Sequence, residues 1–187
     1  MRRLPIYFLI DTSGSMRGAQ IDAVNACLKF MMLDFRSDPF LIEITYVCVV
    51  TFDLGTVVVV PLTAHMEVEI PHIAIPNSGP SHLGSALAFV RNIVQGEVRK
   101  PSHENKGDFR PVLIIMTDGK PSDVEIFLKQ IPQVRALSFD SIVGCVTGPK
   151  KETEYLRSLC DDIFLLDLSS NPPFSLSSYL VRRWDRD

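Results

Sequence analysis

Tyr7-Phe8-Leu9-Ile10-Asp11-Thr12-Ser13-Gly14-Ser15-Met16 is the stretch whose reading decides the fold. A short apolar run ends abruptly in a carboxylate, and hydroxyls follow at alternate positions, Ser13 and Ser15. An apolar run of this length, bounded by a turn signal, reads as a buried strand. Gly14 is expected to supply the turn with a backbone conformation closed to other residues. Asp11, Ser13 and Ser15 then share one tight loop at the carboxyl end of that strand, where open α/β sheets bind their ligands. One carboxylate beside two neutral oxygens makes a hard, oxygen-only set, suited to magnesium, calcium or manganese and not to zinc. A polar turn capping the next helix uses the same residue types, so this stretch alone leaves both readings open.

The bulk properties narrow the field. A chain of 187 residues fits one domain with a large core and is short for two. With 46% hydrophobic and 22% charged residues the composition is globular, which excludes a disordered chain. A formal net charge of −3, without any cluster of Lys and Arg, gives no basis for a nucleic-acid partner. Arg182-Arg183 stands beside Asp185 and Asp187 and reads as a solvated helix end. Asp11 interrupts the first apolar run before it reaches the length of a signal-peptide core, and no run approaches the ~20 apolar residues of a membrane span. Cys27, Cys48, Cys145 and Cys160 are scattered, with no Cys-x-x-Cys among them. Packed, reduced thiols in a cytoplasmic protein are the expectation.

Working outward from the opening loop, Ile21, Val24, Leu28, Met31 and Phe35 recur at helical spacing and predict a helix over residues 19–36. Pro39 ends that region. Leu41–Phe52 is rich in β-branched and aromatic residues and reads as a strand; Thr56–Leu62 reads as its hairpin partner across the turn Asp53-Leu54-Gly55. Residues 63–81, with Pro71, Pro76 and Pro80, form a long irregular connection of the kind that often carries function. Leu83, Leu87, Val90 and Val94 mark a second helix, and Glu97–Arg110 reads as an exposed loop. Pro111–Met116 is an apolar strand ending at Thr117-Asp118-Gly119. The next helix turns Val124, Phe127, Leu128 and Ile131 inward, capped by Ser122 or Asp123. A strand at Phe139–Val146, a helix at Glu152–Leu159, a strand at Ile163–Leu166 and a helix over Tyr179–Trp184 complete the chain. The order β-α-β-β-α-β-α-β-α-β-α specifies an α/β fold in one domain spanning residues 1–187. Its sheet is doubly wound and mainly parallel, with one antiparallel edge strand and helices on both faces.

Two apolar strands therefore end in acids, Asp11 and Asp118. If they are neighbours, the two carboxylates face one crevice. A third segment, Asn77-Ser78-Gly79-Pro80-Ser81-His82-Leu83-Gly84, brings further hydroxyls to a helix start. Asp11-x-Ser13-x-Ser15, a hydroxyl before Leu83-Gly84-x-Ala86-Leu87, and Thr117-Asp118-Gly119 together resemble the metal-ion-dependent adhesion site (MIDAS) of von Willebrand factor type A (VWA) domains. The resemblance covers roughly residues 4–168 and implies a Rossmann-like fold. Within that family the chain is similar to the TerY-type proteins of bacterial tellurite-resistance clusters. The similarity rests on Arg3-Leu4-Pro5, Thr51-Phe52-Asp53, Pro61-Leu62-Thr63 and Lys106-Gly107-Asp108-Phe109-Arg110-Pro111. Where the family usually offers threonine two residues before Leu-Gly, this chain has Ser81; the oxygen is retained and the rotamer-fixing methyl is lost. Ser78 is a weaker candidate for the same role.

The resemblance implies that Ser13, Ser15 and Ser81 bind a divalent cation through their hydroxyls. Magnesium is the first expectation, with manganese or calcium as the other hard ions. Asp11 and Asp118 would act directly or through water. It further implies cation-dependent recognition of a protein partner, whose Asp or Glu supplies the last ligand. The candidate partners are a PP2C-like phosphatase and a protein kinase of a stress-response module; no nucleic acid and no membrane is implied. Two other function classes share the crevice. A metal-dependent phosphohydrolase of the haloacid dehalogenase type needs a second acid two residues after the nucleophile, where this chain has Ser13. A structural assembly domain with a vestigial site needs nothing further. No Gly-x-x-x-x-Gly-Lys-Ser/Thr is present, and His65, His72, His82 and His103 suggest no Ser/His/Asp arrangement. Asp53 reads as a hairpin-turn residue, His82 as an exposed helix start, Lys120 as surface, and Met31 and Met32 as core.

Overall fold

The computed structural model describes residues 2–75, 79–148, 153–166 and 175–184, the side chains of 181–184 excepted. Six strands form one sheet: β1 (Leu4–Asp11), β2 (Thr45–Phe52), β3 (Thr56–Ala64), β4 (Val112–Thr117), β5 (Ser141–Val146) and β6 (Asp162–Leu165). Their order is β3-β2-β1-β4-β5-β6. Only β2–β3 is antiparallel, which places the hairpin's second strand at one edge, as its sequence indicates. The helices are α1 (Ala19–Phe35), α2 (Pro39–Ile44), α3 (Leu83–Glu97), α4 (Val124–Arg135), α5 (Glu154–Arg157) and α6 (Leu176–Trp184). From β1 the chain winds outward through β2 and β3, then crosses back to β4 and winds the other way. The point of reversal lies between β1 and β4, and in such sheets ligands bind outside the carboxyl ends of the strands flanking it.

Side-chain parity divides the core into two layers. Successive residues of a strand point to opposite faces. Ile6, Phe8 and Ile10 of β1 join Ile114 and Met116 of β4 in the cluster with α1 and α6. Tyr7 and Leu9 join Leu113 and Ile115 in the cluster with α3 and α4. Every residue of β1 and β4 is buried, which is why both strands read as continuous apolar runs rather than alternating ones.

Several local expectations are corrected. The strand expected from Leu41 begins at Thr45, because Asp38 and Pro39 start the short helix α2. The Asp38 carboxylate accepts from the amides of Phe40 and Leu41, and Pro39 stands where a missing N–H costs nothing. Leu128 is 53% exposed, and the inward position near the end of α4 is Val134 instead. Gly14 lies in a 3₁₀ turn, Gly14–Met16; the positive φ of the opening loop is at Gly18, 77°. The loop between α3 and β4 is exposed over most of its length, yet Gly107 and Asp108 are buried. Ser78 and part of the Glu152–Leu159 helix lie outside the described residues.

All four cysteines are free and buried. Burial pushes the thiols of Cys27, Cys48 and Cys160 up to about 12 and that of Cys145 well above its ordinary value. They are packed hydrophobes rather than nucleophiles.

Candidate metal centre

Parity carries Asp11 and Thr117 to the same face of the sheet. Ile10 is in register with Met116, so the next residue of each strand continues the alignment, on the side of Leu9 and Ile115. That is the face covered by α3, whose first turn follows Ser81. The three meet: Asp11 Oδ2 accepts from Ser81 Oγ at 2.7 Å and from Thr117 Oγ1 at 2.7 Å. The other carboxylate oxygen, Oδ1, accepts the amide of Ser13 at 2.9 Å. Ser13 Oγ lies 3.2 Å from Ser15 Oγ. Asp11, Ser13, Ser81 and Thr117 are buried, whereas Ser15 is exposed, so the hydroxyl cluster runs from the sheet out to solvent.

The loops are fixed by backbone bonds rather than by long side chains. Thr12 N donates to Phe52 O at 2.7 Å, which ties the first loop to β2. Gly14 N donates to Gly79 O, and His82 N to Asp53 O, each at 3.0 Å. Asp53 takes the hairpin-turn role, accepting from Gly55 N at 2.9 Å, and its carbonyl also anchors the segment that carries Ser81. His82 is half-buried and immediately precedes α3. Thr117 Oγ1 accepts from Gly119 N at 3.1 Å, so this hydroxyl is donor to Asp11 and acceptor within its own turn.

Asp123 plays an unexpected part. Instead of capping α4 through its side chain, its carboxylate accepts from Gly84 N at 2.9 Å and Ser85 N at 2.8 Å, capping α3 from outside that helix. An acid at the amino end of α3 also complements the helix dipole. Gly84 is required by the same junction, since a Cβ there would collide with the backbone nitrogen of Phe127 and lie 2.7 Å from its Cα.

Burial pushes the Asp11 carboxyl above its ordinary range, and hydrogen bonds from Ser13, Ser81 and Thr117 pull in the other direction. Asp118 is half-buried, and among the described residues its carboxylate accepts no hydrogen bond. Its Cβ lies 3.7 Å from where a Cβ on Gly148 would stand, a position that Gln20 of α1 also approaches. The structure thus joins Asp11, Ser13, Ser15 and Ser81 in one hydrogen-bonded cluster and sets Asp118 one residue beyond it. Thr117 was the residue that sequence reasoning left out of the site. Among the described residues no three His, Cys, Asp or Glu side chains gather as a metal cluster. Also among the described residues, no helix is long and apolar enough to cross a membrane.

The profile of the von Willebrand factor type A domain matches residues 6–173. No curated protein matches the sequence. Among solved structures, proximal thread matrix protein 1 from the mussel byssus superposes with a TM-score of 0.69 at 17% identity, over 98% of this chain and 46% of its own. A von Willebrand factor type A protein from Catenulispora acidiphila gives 0.63 at 18% identity, over 97% and 42%. The SpRpn10 VWA domain gives 0.59 at 14% identity, over 97% and 95%. The chain spans less than half the length of the first two, and at these identities the likeness shows the fold alone.

Proposed function

The chain belongs to the von Willebrand factor type A domain family, and from that premise we propose that it is a divalent-cation-dependent protein-interaction module. Domains of this family are commonly interaction modules. One observation carries the reading: a string of hydroxyls, Ser81, Ser13 and Ser15, arranged around a buried carboxylate at the sheet's point of reversal. Ser13, Ser15 and Ser81 would hold the ion through oxygen. Asp118 would join them directly or through water, and magnesium's retained hydration shell suits so few protein ligands. Asp11, with both oxygens already accepting hydrogen bonds, would orient Ser81 and bound water from behind. A hydroxyl that gives its proton to Asp11 keeps lone pairs for a cation. When bound, the ion supplies one electropositive position for an Asp or Glu of a partner protein.

We extend the reading to the partner by resemblance to TerY-type proteins. A PP2C-like phosphatase and a protein kinase of a bacterial tellurite-resistance and stress-response assembly in the cytoplasm are the first candidates. The reading assigns no catalysis, because the second acid of a haloacid dehalogenase-type site is replaced by Ser13, whose amide is bound to Asp11 itself.

Magnesium or manganese is expected to raise the melting temperature of the wild type and to leave Asp11→Ala unmoved. Capture of the PP2C-like phosphatase should disappear in EDTA and return with magnesium, while phosphoester hydrolysis stays at background. Equal metal shifts in both proteins would refute the reading.

A further inference from the structure

At the opposite end of the sheet, beyond the start of the eight-residue β1 and so roughly 23 Å from Asp11, lies a cavity of about 520 Å³. It falls in the size range of small-molecule sites. Its apolar floor is formed by Val94 and Val98 at the end of α3, Pro111 before β4, and Leu137 after α4. Its rim is cationic, with Arg2, Arg99, Lys100 and Arg110. Among the described residues the one acid in the lining, Asp108, is already engaged with Arg3 at 2.6 Å. Among the described residues the Lys100 and Arg110 side chains enter no ion pair and no hydrogen bond, while the Arg99 charge also acts on Asp108. This concentration of positive charge stands out in a chain whose formal net charge is −3.

The wall carrying Arg99 and Lys100 is preformed. Asp108 N donates to Arg99 O, and Arg99 N donates to Asp108 Oδ2, at 2.9 and 2.8 Å. Gly107, at φ 70°, sits so close that a Cβ would lie 2.7 Å from Pro101 N. On the facing side Ser138 holds φ at 54°, the only positive value at a non-glycine residue among those described. The negative end of the α3 dipole accounts for basic residues at 99 and 100. It does not account for Arg110 or Arg2, which arrive from two other segments. Arg2 is held in place over the Phe109 ring at 4.1 Å and by the carbonyls of Gly107 and Asp108.

We propose that this cavity binds a small organic anion, an apolar body on the Val98–Leu137 floor with a phosphate, sulfonate or carboxylate head group at the Lys100–Arg110 rim. The site is independent of the candidate metal centre. The probe is 8-anilinonaphthalene-1-sulfonate, titrated by fluorescence into the full native chain. One saturable site is expected, unchanged by EDTA and by Asp11→Ala. Affinity should fall at least ten-fold in the double variant Lys100→Glu/Arg110→Glu, whose exposed side chains leave the melting temperature and near-UV spectrum in place. Leu137→Asp, which alters the floor alone, should have the same effect. Displacement by AMP assigns an aromatic phosphate and displacement by decanoate an aliphatic carboxylate. Absence of saturable binding, equal affinity in the charge-reversed protein, or failure of both competitors at millimolar concentration would overturn the proposal.

Discussion

The Thr117 hydroxyl lies 2.7 Å from Asp11 Oδ2, joining the ends of two neighbouring parallel strands through one buried hydrogen bond. The contact follows from register and parity, and it makes β4 a structural support for the opening loop. Removing the hydroxyl while keeping the shape should therefore expose what Asp11 needs. Thr117→Val is expected to cost about 1.5–3 kcal/mol of unfolding free energy, typical of a hydrogen bond to a charged group. It should also diminish the metal-induced rise in melting temperature, whereas Thr117→Ser retains both. Urea denaturation with and without manganese measures the two effects. An unaltered metal response in Thr117→Val would remove Thr117 from the site.

Gly84 packs against the backbone of α4 with no room for a methyl group. Gly84→Ala should push α3 from α4 and lower stability by about 1–3 kcal/mol, the usual cost of overfilling a rigid contact. Chemical denaturation would show it as a lower midpoint with an unchanged slope. Because α3 begins just after Ser81, the same variant should weaken the metal-induced stabilisation.

Acid should loosen the end of the sheet remote from the hydroxyl cluster. Burial alone would raise the Asp108 carboxyl, but the Arg3 hydrogen bond, the Arg99 amide and the charges of both arginines outweigh it and hold it below the ordinary range. A carboxyl lower in the folded chain than in the unfolded one, about 3.9, stabilises fully above that value. The contribution drains away as pH falls through the folded value. Stability measured from pH 5 to pH 2 should accordingly fall less steeply in Asp108→Asn than in the wild type. At neutral pH Asp108→Asn should be less stable, by about 1.5–3 kcal/mol, since the half-buried Arg3 loses its ion-pair partner and keeps the Glu97 carbonyl.

A second pH effect belongs to His65. Its ring is fully buried and packed edge-on to Phe35, and among the described residues neither nitrogen finds a hydrogen-bond partner. Burial first, and the nearby Arg36 charge second, lower its pKa. The folded chain thus favours neutral imidazole, and its contribution is full above the unfolded value of about 6.5 and lost as pH falls below it. The wild-type melting temperature should drop between pH 7.5 and pH 5. His65→Leu should flatten that drop and be as stable or more stable at pH 7.5, because it removes an unsatisfied polar group. An identical pH profile in the variant would show that His65 is protonated without cost.

Much of this architecture is readable from residue order. The apolar runs of β1 and β4, the helical spacing of α1 and α3, and the hairpin at Asp53-Leu54-Gly55 each obey a local rule. The grouping of Ser81 with Asp11, Ser13 and Ser15 comes instead from the resemblance to the adhesion-site motifs, since Ser81 lies far along the chain from the opening loop it contacts. The departures have two causes, a local cap that outweighed strand composition and partners distant in sequence. The composition of Leu41–Phe52 suits a strand, yet the Asp38 cap turns its first part into α2. Asp123 stands where a helix cap belongs, but its acceptor capacity is taken by α3. Thr117 was discoverable in principle: given adjacent strands, Asp11 and Thr117 share a face by simple alternation. That inference needs the inter-strand register, which is not a local property.

Ser81 and Ser122 bond reciprocally, Ser122 N to Ser81 O at 2.7 Å and Ser81 N to Ser122 Oγ at 3.2 Å, and Asp123 grips the first amides of α3 immediately afterwards. Two loops separated by about forty residues are thereby riveted into a single stiff bracket, hinged on β1 by the Ser81–Asp11 contact. A pull on Ser81 would load Ser122 and Asp123 through these bonds. Because Asp123 immediately precedes α4, a tug at the crevice would reach the start of that helix as a tilt.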